Sequence, residues 1–256
     1  MQHWFGTWSL GGMGFGPNPN KHPDAVIAYA FEHGIRTFDT AGIYAKGQSE
    51  CILAKGLRGV SRASYRLCSK GGLVWDGNQV KHDGSSAAIK QACYESLERL
   101  KTDYLDVFFL HWPDEAIPLN VSLAALDELL VEGVIRDWGV CNLSGAQLRK
   151  FLPPDRPVYH QVHHNYLTRA DDVLDVMGNV VSVAYSPFEQ GLLSSRKYLD
   201  SSRFSETRRN QARLFHDKVD DPLSFVMDWY QSQPHVEHVI FGARTIAQLD
   251  NLINLC

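Results

Sequence analysis

Four polar side chains, each placed at or just after the end of a strand-like segment, could together transfer a proton. Asp39 follows "IRTF", Tyr44 stands five positions later, Lys70 ends "LCSK" and His111 ends "FFLH". A free tyrosine has a pKa of about 10 and transfers protons poorly at neutral pH. A nearby ammonium favours the phenolate, a carboxylate keeps that ammonium charged and oriented, and a histidine can hydrogen-bond a substrate oxygen. We therefore expect these four groups to protonate a carbonyl oxygen while something else attacks the carbonyl carbon.

Each of the four residues also has an ordinary explanation. An aspartate at a strand end commonly forms a cap or turn, and a lysine or tyrosine commonly lies at the rim with its polar tip in water. A histidine before Trp-Pro can be a hydrogen-bonded core residue. The chemical interpretation depends on the conjunction, because chance would scatter these residue types along the strands.

Eight strand-like segments, most of them separated by helical patterns, must position these side chains. Repeated βα units form a parallel sheet with right-handed crossovers, and eight such units in roughly 250 residues are typical of a (β/α)8 TIM barrel. The helical segments include "AVIAYAFEHG", "SAAIKQACYESLERL" behind a serine cap, and "SLAALDELLVEG". The strand candidates are a segment near 4–7, "IRTF", "YRLCSK", "YLDVFFLHW", "VIRDWGVCN", "HQVHHN", "VVSVAYSP" and "VEHVIFGA".

An open, doubly wound α/β sheet is the alternative fold. It requires a glycine fingerprint that opens a helix after the first strand, whereas the prolines in "GGMGFGPNPN" indicate a loop. No linker divides the chain, so we expect a single domain over residues 1–256. The longest irregular stretch is predicted at 186–220. Its arginine-rich part, 196–213, is either a solvated loop or a flap over a ligand.

Composition excludes several classes of protein. Hydrophobic residues make up 44% and charged residues 21% of the 256 residues, and the net charge is −4, so nucleic-acid and membrane binding are not expected. The chain has no apolar run long enough to span a bilayer, and its first residues lack a signal-peptide pattern. Five scattered cysteines are typical of a reduced, cytoplasmic protein.

The chain resembles the aldo-keto reductase family from about residue 5 to residue 252. The likeness is carried by "GTWSLGG", "FDTAGIYAKGQSE", "SKGG", "SLERLKTDYLDVFFLHWPD", "GVIRDWGVCNLS", "AYSPFEQGLLS" and "VIFGART". Within the family, "KGGLVWDG" and "SPFEQGLL" are similar to a bacterial subgroup that acts on small aldehydes and sugar-like carbonyls.

The resemblance implies a (β/α)8 barrel that reduces an aldehyde or ketone with hydride from a reduced nicotinamide. Tyr44 would be the general acid, Lys70 would lower its pKa, Asp39 would hold Lys70, and His111 would orient the carbonyl. The resemblance also implies that a set of further residues binds the cofactor along its length, namely Gly6, Thr7, Trp8, Asp39, Asn142, Gln161, Tyr185, Ser186, Phe188, Gln190, Gly191, Leu192, Gly242, Arg244, Gln248 and Asn251. Cys141 stands where the family often has serine, which removes one expected carboxamide contact.

Relative to the family, the chain looks trimmed. We expect no N-terminal hairpin, a shortened segment without the extra helix before the seventh barrel helix, and no C-terminal lid. These trims predict an open substrate site and a barrel bottom that a partner or another protomer could cover. We expect a monomer or a weak homo-oligomer. Arg244 at the adenosine end favours NADPH over NADH.

Two further motifs have competing interpretations. "HQVHH" places His160, His163 and His164 close in sequence, but strand geometry separates them and no carboxylate or cysteine completes a ligand set, so no metal is expected. Trp75 and Trp112 could be core residues, although their positions after strands favour a substrate-lining role. Two alternative functions also remain: an NAD-linked sugar or alcohol dehydrogenase that uses the same residues in reverse, and a non-catalytic nicotinamide-binding regulatory protein.

Overall fold

The computed structural model of the chain describes residues 1–151, 153, 156–175 and 179–255. Within these ranges the strands are β1 Gln2–Gly6, β2 Thr37–Asp39, β3 Arg66–Gly71, β4 Leu73–Asp76, β5 Gln79–His82, β6 Val107–Leu110, β7 Trp138–Cys141, β8 Val158–His163, β9 Val180–Tyr185 and β10 His238–Phe241. The helices are α1 Pro23–Glu32, α2 Gln48–Gly56, α3 Ser86–Leu100, α4 Leu119–Glu132, α5 Gly145–Phe151, α6 Asp171–Leu174, α7 Glu206–His216, α8 Pro222–Gln231 and α9 Ile246–Ile253.

Eight of these strands close into a parallel barrel, as the alternation of elements predicts. The order around the barrel is β1, β2, β3, β6, β7, β8, β9 and β10, and β10 pairs with β1 to complete the ring. Because every pairing is parallel, the carboxyl ends of all eight strands open at the same face. The polar residues that follow these strands therefore converge on one mouth.

Two apolar layers hold the barrel together. Side chains from six strands fill its interior, where Trp4 and Phe109 are among the largest and both are fully buried. A larger cluster packs the helices on the outside of the strands, with Phe38 on β2 and Leu126 on α4 as members. This packing makes the barrel a rigid platform for its carboxyl-end loops.

The helix boundaries agree with the sequence signals. Helix α3 begins after Ser85, whose side chain accepts a hydrogen bond from the amide of Ala88 at 3.3 Å. Helix α4 ends at Gly133, which adopts a left-handed φ of 77°. Both helices lie where the apolar periodicity predicts them.

Two elements were not predicted. A short antiparallel hairpin, β4–β5, stands between β3 and α3, where no strand is expected from the sequence. Helix α7 lies within the segment 186–220 that was expected to be irregular, and it precedes α8, so the expectation of a missing helix is wrong. The sequence signal of α7 is weak because its buried residues are confined to Ala212, Phe215 and His216.

The three histidines of "HQVHH" point in different directions. His163 lines the cleft described below. His160 shares the outer face of β8 with Val158 and Val162 and is fully buried, while His164 stacks on Trp229 at 5.2 Å. These imidazoles cannot converge on one ion, and no metal-binding cluster occurs among the residues that the structure describes. Within the same ranges, no helix is both long and apolar enough to cross a membrane.

The buried His160 predicts a loss of stability in acid. Burial lowers the pKa of His160 from 6.5 to about 4, and burial lowers that of His164 to about 4 as well. The unfolded chain therefore takes up protons below about pH 6.5 that the folded chain does not bind until about pH 4. The free energy of unfolding should be at its full value above this window and should fall as the pH drops through it.

Substituting His160→Leu should reduce this acid dependence. The variant takes up one proton fewer than wild type when it unfolds. The slope of its unfolding free energy against pH should therefore be shallower by up to about 1.4 kcal/mol per pH unit between pH 6.5 and 4. Urea unfolding of both proteins at several pH values measures the slopes. Equal slopes would contradict a neutral, buried imidazole at this position.

Candidate active site

A buried ion pair lies at the centre of the barrel mouth. Asp39 ends β2 and Lys70 lies on the neighbouring β3, and the two strands are in register through Asp39 and Cys68. Lys70 Nζ donates to Asp39 Oδ1 at 2.5 Å and to the carbonyl of Thr40 at 2.8 Å. Gln161 on β8 donates to the other carboxylate oxygen, Oδ2, at 2.6 Å. The side chains of Asp39 and Lys70 are only 5% and 2% exposed, so water screens their attraction very little.

Tyr44 lies directly above this pair. Lys70 Nζ is 5.0 Å from the centre of its ring. His111, which follows β6, meets the ring edge-on with centroids 5.6 Å apart, and Trp8 stacks against it at 6.0 Å. The structure therefore brings together the four side chains that the sequence selected.

The turn that carries Tyr44 has an uncommon backbone conformation. Ala45 and Lys46 both adopt the left-handed region, with φ of 50° and 54°, and Gly47 follows at 85°. Consecutive left-handed residues other than glycine are strained and persist only where their surroundings hold them. Such strain at the residue beside Tyr44 is typical of a functional site.

The electrostatics of the site favour a neutral phenol. Burial raises the pKa of Tyr44 to about 12, although the Lys70 ammonium pulls it in the opposite direction. The expected net lowering by Lys70 therefore does not occur, because desolvation is the larger effect. Tyr44 keeps its proton at neutral pH, as a proton donor must.

Lys70 is charged at neutral pH, whereas His111 is neutral. Burial alone would lower the pKa of Lys70, but Asp39 and then Tyr44 reverse this effect and the net pKa is raised, so the ammonium persists. Burial and the Lys70 charge hold the pKa of His111 well below its usual range. His111 is thus a neutral imidazole, and within the described residues its Nδ1 is buried without a hydrogen-bond partner.

A cleft of about 1090 Å³ opens above these residues. This volume exceeds that of a pocket for one drug-sized ligand and suits a dinucleotide with a small substrate. Three of the predicted site residues do not line it: Lys70 lies behind Asp39 and Tyr44, and Thr7 and Leu192 are fully buried. The predicted residues that line the cleft are Gly6, Trp8, Asp39, Tyr44, Trp75, His111, Trp112, Asn142, Gln161, Tyr185, Ser186, Phe188, Gln190, Gly191, Gly242, Arg244, Gln248 and Asn251.

The residues expected to bind a carboxamide contact one another or a neighbouring residue. Tyr185 donates its hydroxyl proton to Asn142 Oδ1 at 2.7 Å, and Asn142 Nδ2 donates to the carbonyl of His111 at 3.0 Å. Gln161 is committed through its amide nitrogen to Asp39. These bonds fix the side chains in place, and the three residues Asn142, Gln161 and Tyr185 form a polar wall of the cleft.

One cluster beside the cleft was missed by sequence reasoning. Glu189 is 6% exposed, and its carboxylate contacts His163 Nε2 at 3.0 Å, Asn165 Nδ2 at 2.5 Å and Arg208 Nε at 3.0 Å. His163 in turn stacks on Tyr185 with rings 5.3 Å apart and nearly parallel. The sequence held no signal for this cluster, because it joins β8, the loop after β9 and the unpredicted α7.

The hairpin β4–β5 holds the strained turn from outside. The indole N–H of Trp75 donates to the carbonyl of Ile43 at 3.1 Å, and Lys46 Nζ donates to the carbonyl of Gly77 at 3.1 Å. Trp75 thus lines the cleft, as expected, and also braces the residue before Tyr44. Trp112, which is 39% exposed, lies at the rim.

Trp75→Phe should slow turnover as well as weaken substrate binding. The substitution keeps an aromatic wall but removes the donor to Ile43, so the Tyr44 turn loses one of its restraints. We expect kcat to fall about fivefold, which corresponds to about 1 kcal/mol. Steady-state kinetics measure this effect. Trp112→Phe is the matched control and should change KM alone; an equal loss of kcat in both variants would contradict the bracing role.

The end of the cleft beside the start of α9 offers donors for an anion. Helix α9 begins at Ile246, directly after Arg244 and Thr245, and backbone amides at a helix start favour negative charge. Gln248 Oε1 accepts from the amide of Arg244 at 2.9 Å. Within the described ranges, Arg244 Nε and Ser9 Oγ are buried without hydrogen-bond partners. This donor set fits the phosphates of a nicotinamide dinucleotide.

Comparison with known proteins agrees with this geometry. Residues 4–256 match the sequence profile described as Aldo/keto reductase family. The chain is 28% identical to the aldo-keto reductase YhdN of Bacillus subtilis, over 96% of this chain and 82% of the relative. It is 32% identical to the NADH-specific methylglyoxal reductase of Escherichia coli, over 74% and 64% of the two chains. The structure of a glycerol dehydrogenase from Gluconobacter oxydans superposes with a TM-score of 0.81 at 26% identity, over 99% of this chain and 85% of that one.

Proposed function

Because this chain belongs to the aldo/keto reductase family, we propose that it reduces an aldehyde or ketone to an alcohol with Tyr44 as the proton donor. Members of this family use nicotinamide cofactors, and the reduced nicotinamide supplies the hydride when bound. The observation that carries the proposal is the fully buried Asp39–Lys70 pair beneath Tyr44, with His111 at the ring edge.

Each of the four residues has a separate role in the proposed reaction. Tyr44 hands its phenolic proton to the carbonyl oxygen as that oxygen gains negative charge. Lys70 stabilises the phenolate that remains, and Asp39 keeps Lys70 charged and fixed. The neutral His111 hydrogen-bonds the carbonyl oxygen and orients it toward Tyr44. Asn142, Gln161 and Tyr185 form the polar wall that receives the nicotinamide.

We propose NADPH as the preferred hydride donor. Arg244 supports this choice, because a guanidinium can grip a ribose phosphate with two hydrogen bonds. The similarity to a relative named as NADH-specific makes NADH the alternative that must be tested beside it. The likeness to a glycerol dehydrogenase favours one second candidate, the oxidation of an alcohol by the same residues in reverse.

Two measurements test the proposed function. Titration of the chain with NADPH and with NADH, followed by fluorescence, should show binding of both and tighter binding of NADPH. Turnover should then be measured with a panel of small aldehydes and, in the reverse direction, with glycerol and other alcohols. Binding without turnover in either direction would favour a non-catalytic nicotinamide-binding protein and overturn the enzymatic proposal.

A further inference from the structure

A second buried ion pair lies behind the barrel wall, on the opposite side of β3 from Lys70. Glu50, on α2, is fully buried, and its Oε2 accepts a hydrogen bond from Nε of Arg99 on α3 at 2.5 Å. Its Oε1 accepts a hydrogen bond from the hydroxyl of Ser69 at 2.6 Å, and Ser69 directly precedes Lys70 on β3. Because successive side chains of a strand point to opposite faces, Ser69 faces the helices while Lys70 faces the barrel mouth.

Arg99 lies directly against the turn that carries Tyr44. A Cβ added to Gly47 would fall 2.6 Å from Arg99 Cδ and 2.8 Å from its Nε, and a Cβ added to Gly42 would fall 2.8 Å from Arg99 Nη2. The absence of a side chain at both glycines lets the guanidinium approach the backbone this closely. The contact reaches both ends of residues 42–47, which are called the Tyr44 turn here.

The guanidinium of Arg99 is fixed where it meets the Tyr44 turn. Its Nε is bound to Glu50, and its Nη1 donates to Glu95 Oε2 at 3.2 Å, so two carboxylates set the plane of the group. Glu50 is fixed in turn by the hydroxyl of Ser69. These contacts connect β3 to the Tyr44 turn through side chains of α2 and α3.

Stability alone does not explain a charged pair at this position. An ion pair buried between a sheet and its helices loses its hydration, so apolar side chains of similar volume often stabilise a protein as well or better. A guanidinium held by two carboxylates has one orientation, however, whereas an apolar side chain can rotate. The Tyr44 turn needs such a fixed support, because Ala45 and Lys46 adopt the strained left-handed region.

We propose that Glu50 and Arg99 are positioning residues for proton donation: the pair sets the position of the Tyr44 turn relative to β3 and so keeps the Tyr44 hydroxyl between Lys70 and the carbonyl oxygen of the substrate. This inference rests on the proposed function, since it assigns the pair a role in that reaction. Neither Glu50 nor Arg99 lines the cleft, so the pair acts through the Tyr44 turn and not on a ligand.

The paired substitution Glu50→Gln with Arg99→Met tests this role. It removes both charges together, leaves an amide oxygen for the Ser69 hydroxyl and keeps an unbranched side chain beside Gly47, so the fold should be retained. A misplacement of about 1 Å at a reacting group can cost about 10²-fold in rate. We expect kcat for the best aldehyde of wild type to fall about tenfold to hundredfold, with KM and the NADPH dissociation constant within about twofold of wild type.

Hydrogen–deuterium exchange measures the support of the Tyr44 turn without any turnover. The amide of Tyr44 donates to the carbonyl of Ala41 at 3.0 Å, so it exchanges only when the turn opens. In the paired variant, amides of the Tyr44 turn should exchange at least about threefold faster than in wild type. Unchanged exchange would overturn the proposal.

Arg62→Met with Asp106→Asn is the matched control. Arg62 Nη2 lies 2.6 Å from Asp106 Oδ2, and that oxygen also accepts from the amide of Leu67 near the amino end of β3. The Tyr44 turn lies instead beyond the carboxyl end of the neighbouring β2. The control should keep the kcat and the turn exchange of wild type. If both paired variants behave alike, the Glu50–Arg99 pair has no special role in positioning Tyr44.

Gly42→Ala tests the contact with Arg99 itself. The φ of Gly42 lies outside the left-handed region, so an added methyl group disturbs the turn mainly through its 2.8 Å approach to Arg99 Nη2. In wild type the substitution should lower kcat about tenfold, and in the paired variant, which has no guanidinium there, it should lower kcat no further. Equal losses in the two backgrounds would show that Arg99 does not support the turn.

The two kinds of measurement separate this proposal from the proposed function. Absence of turnover by wild type in either direction would overturn the proposed function and the role in proton donation with it, while the exchange rates would still decide whether the pair holds the turn. Turnover by wild type together with an unchanged kcat in the paired variant would overturn the positioning role alone.

Discussion

Replacing Tyr44 by phenylalanine should reduce kcat for carbonyl reduction by about 10²–10⁴-fold, the range expected when a general acid is lost. The ring contacts with Trp8 and His111 need no hydroxyl, so the substitution removes the proton donor and leaves the packing in place. With a pKa raised to about 12 by burial, the hydroxyl is fully protonated at neutral pH and serves as a donor without prior proton uptake.

The control for Tyr44→Phe is cofactor binding. NADPH and NADH quenching titrations should give wild-type affinities, because the polar wall of Asn142 and Tyr185 is untouched. Steady-state kinetics with the aldehyde that wild type turns over best then isolates the chemical step. If the Tyr44→Phe variant keeps the kcat of wild type, Tyr44 is not the general acid.

Lys70→Met should abolish activity and destabilise the barrel, with cofactor binding largely intact. Lys70 does not line the cleft, so a ligand loses no contact with it. Asp39, however, would be left as a buried carboxylate without its counter-ion, and the Gln161 amide would be its remaining side-chain partner among the described residues. Breaking a buried pair in this way costs about 3–5 kcal/mol of unfolding free energy, which urea unfolding measures.

The double substitution Asp39→Asn with Lys70→Met separates the electrostatic from the catalytic role. It removes both charges and keeps an oxygen for the Gln161 amide, so most of the lost stability should return. Activity should remain abolished, because nothing then stabilises the Tyr44 phenolate. If the double variant is as unstable as Lys70→Met, the instability does not come from an unpaired charge on Asp39.

The convergence of the four proposed site residues could be predicted from their positions relative to the strands. Asp39, Lys70 and His111 lie at or just after short strands rich in branched and aromatic residues, and a parallel barrel brings every such end to one mouth. Helix α3 was predicted for a similar reason, since its apolar spacing and serine cap are local properties of the chain. For these elements, the apolar spacing and the position of polar residues at element ends were sufficient for prediction.

Helix α7 and the Glu189 cluster could not be predicted in this way. Helix α7 is mostly polar and buries only three residues, so the apolar periodicity of its sequence is weak. Glu189 contacts His163, which lies 26 positions away on β8, and Arg208, which lies on α7. No sequence motif and no regular residue spacing predicts contacts between side chains on separate elements.

The amino-acid sequence is enough to predict the barrel, the family resemblance and the meeting of Asp39, Tyr44, Lys70 and His111 at the barrel mouth, because these depend on periodicity and on residues at strand ends. The folded structure accounts for three further properties. It made Tyr44 a protonated phenol with a raised pKa, because burial outweighs the attraction of Lys70. It placed the hairpin β4–β5 behind the strained turn, and it turned Arg244 toward the carbonyl oxygens of Phe15, Gly16 and Pro17. Desolvation and long-range hydrogen bonds arise only when distant segments pack together, so no local pattern contains them.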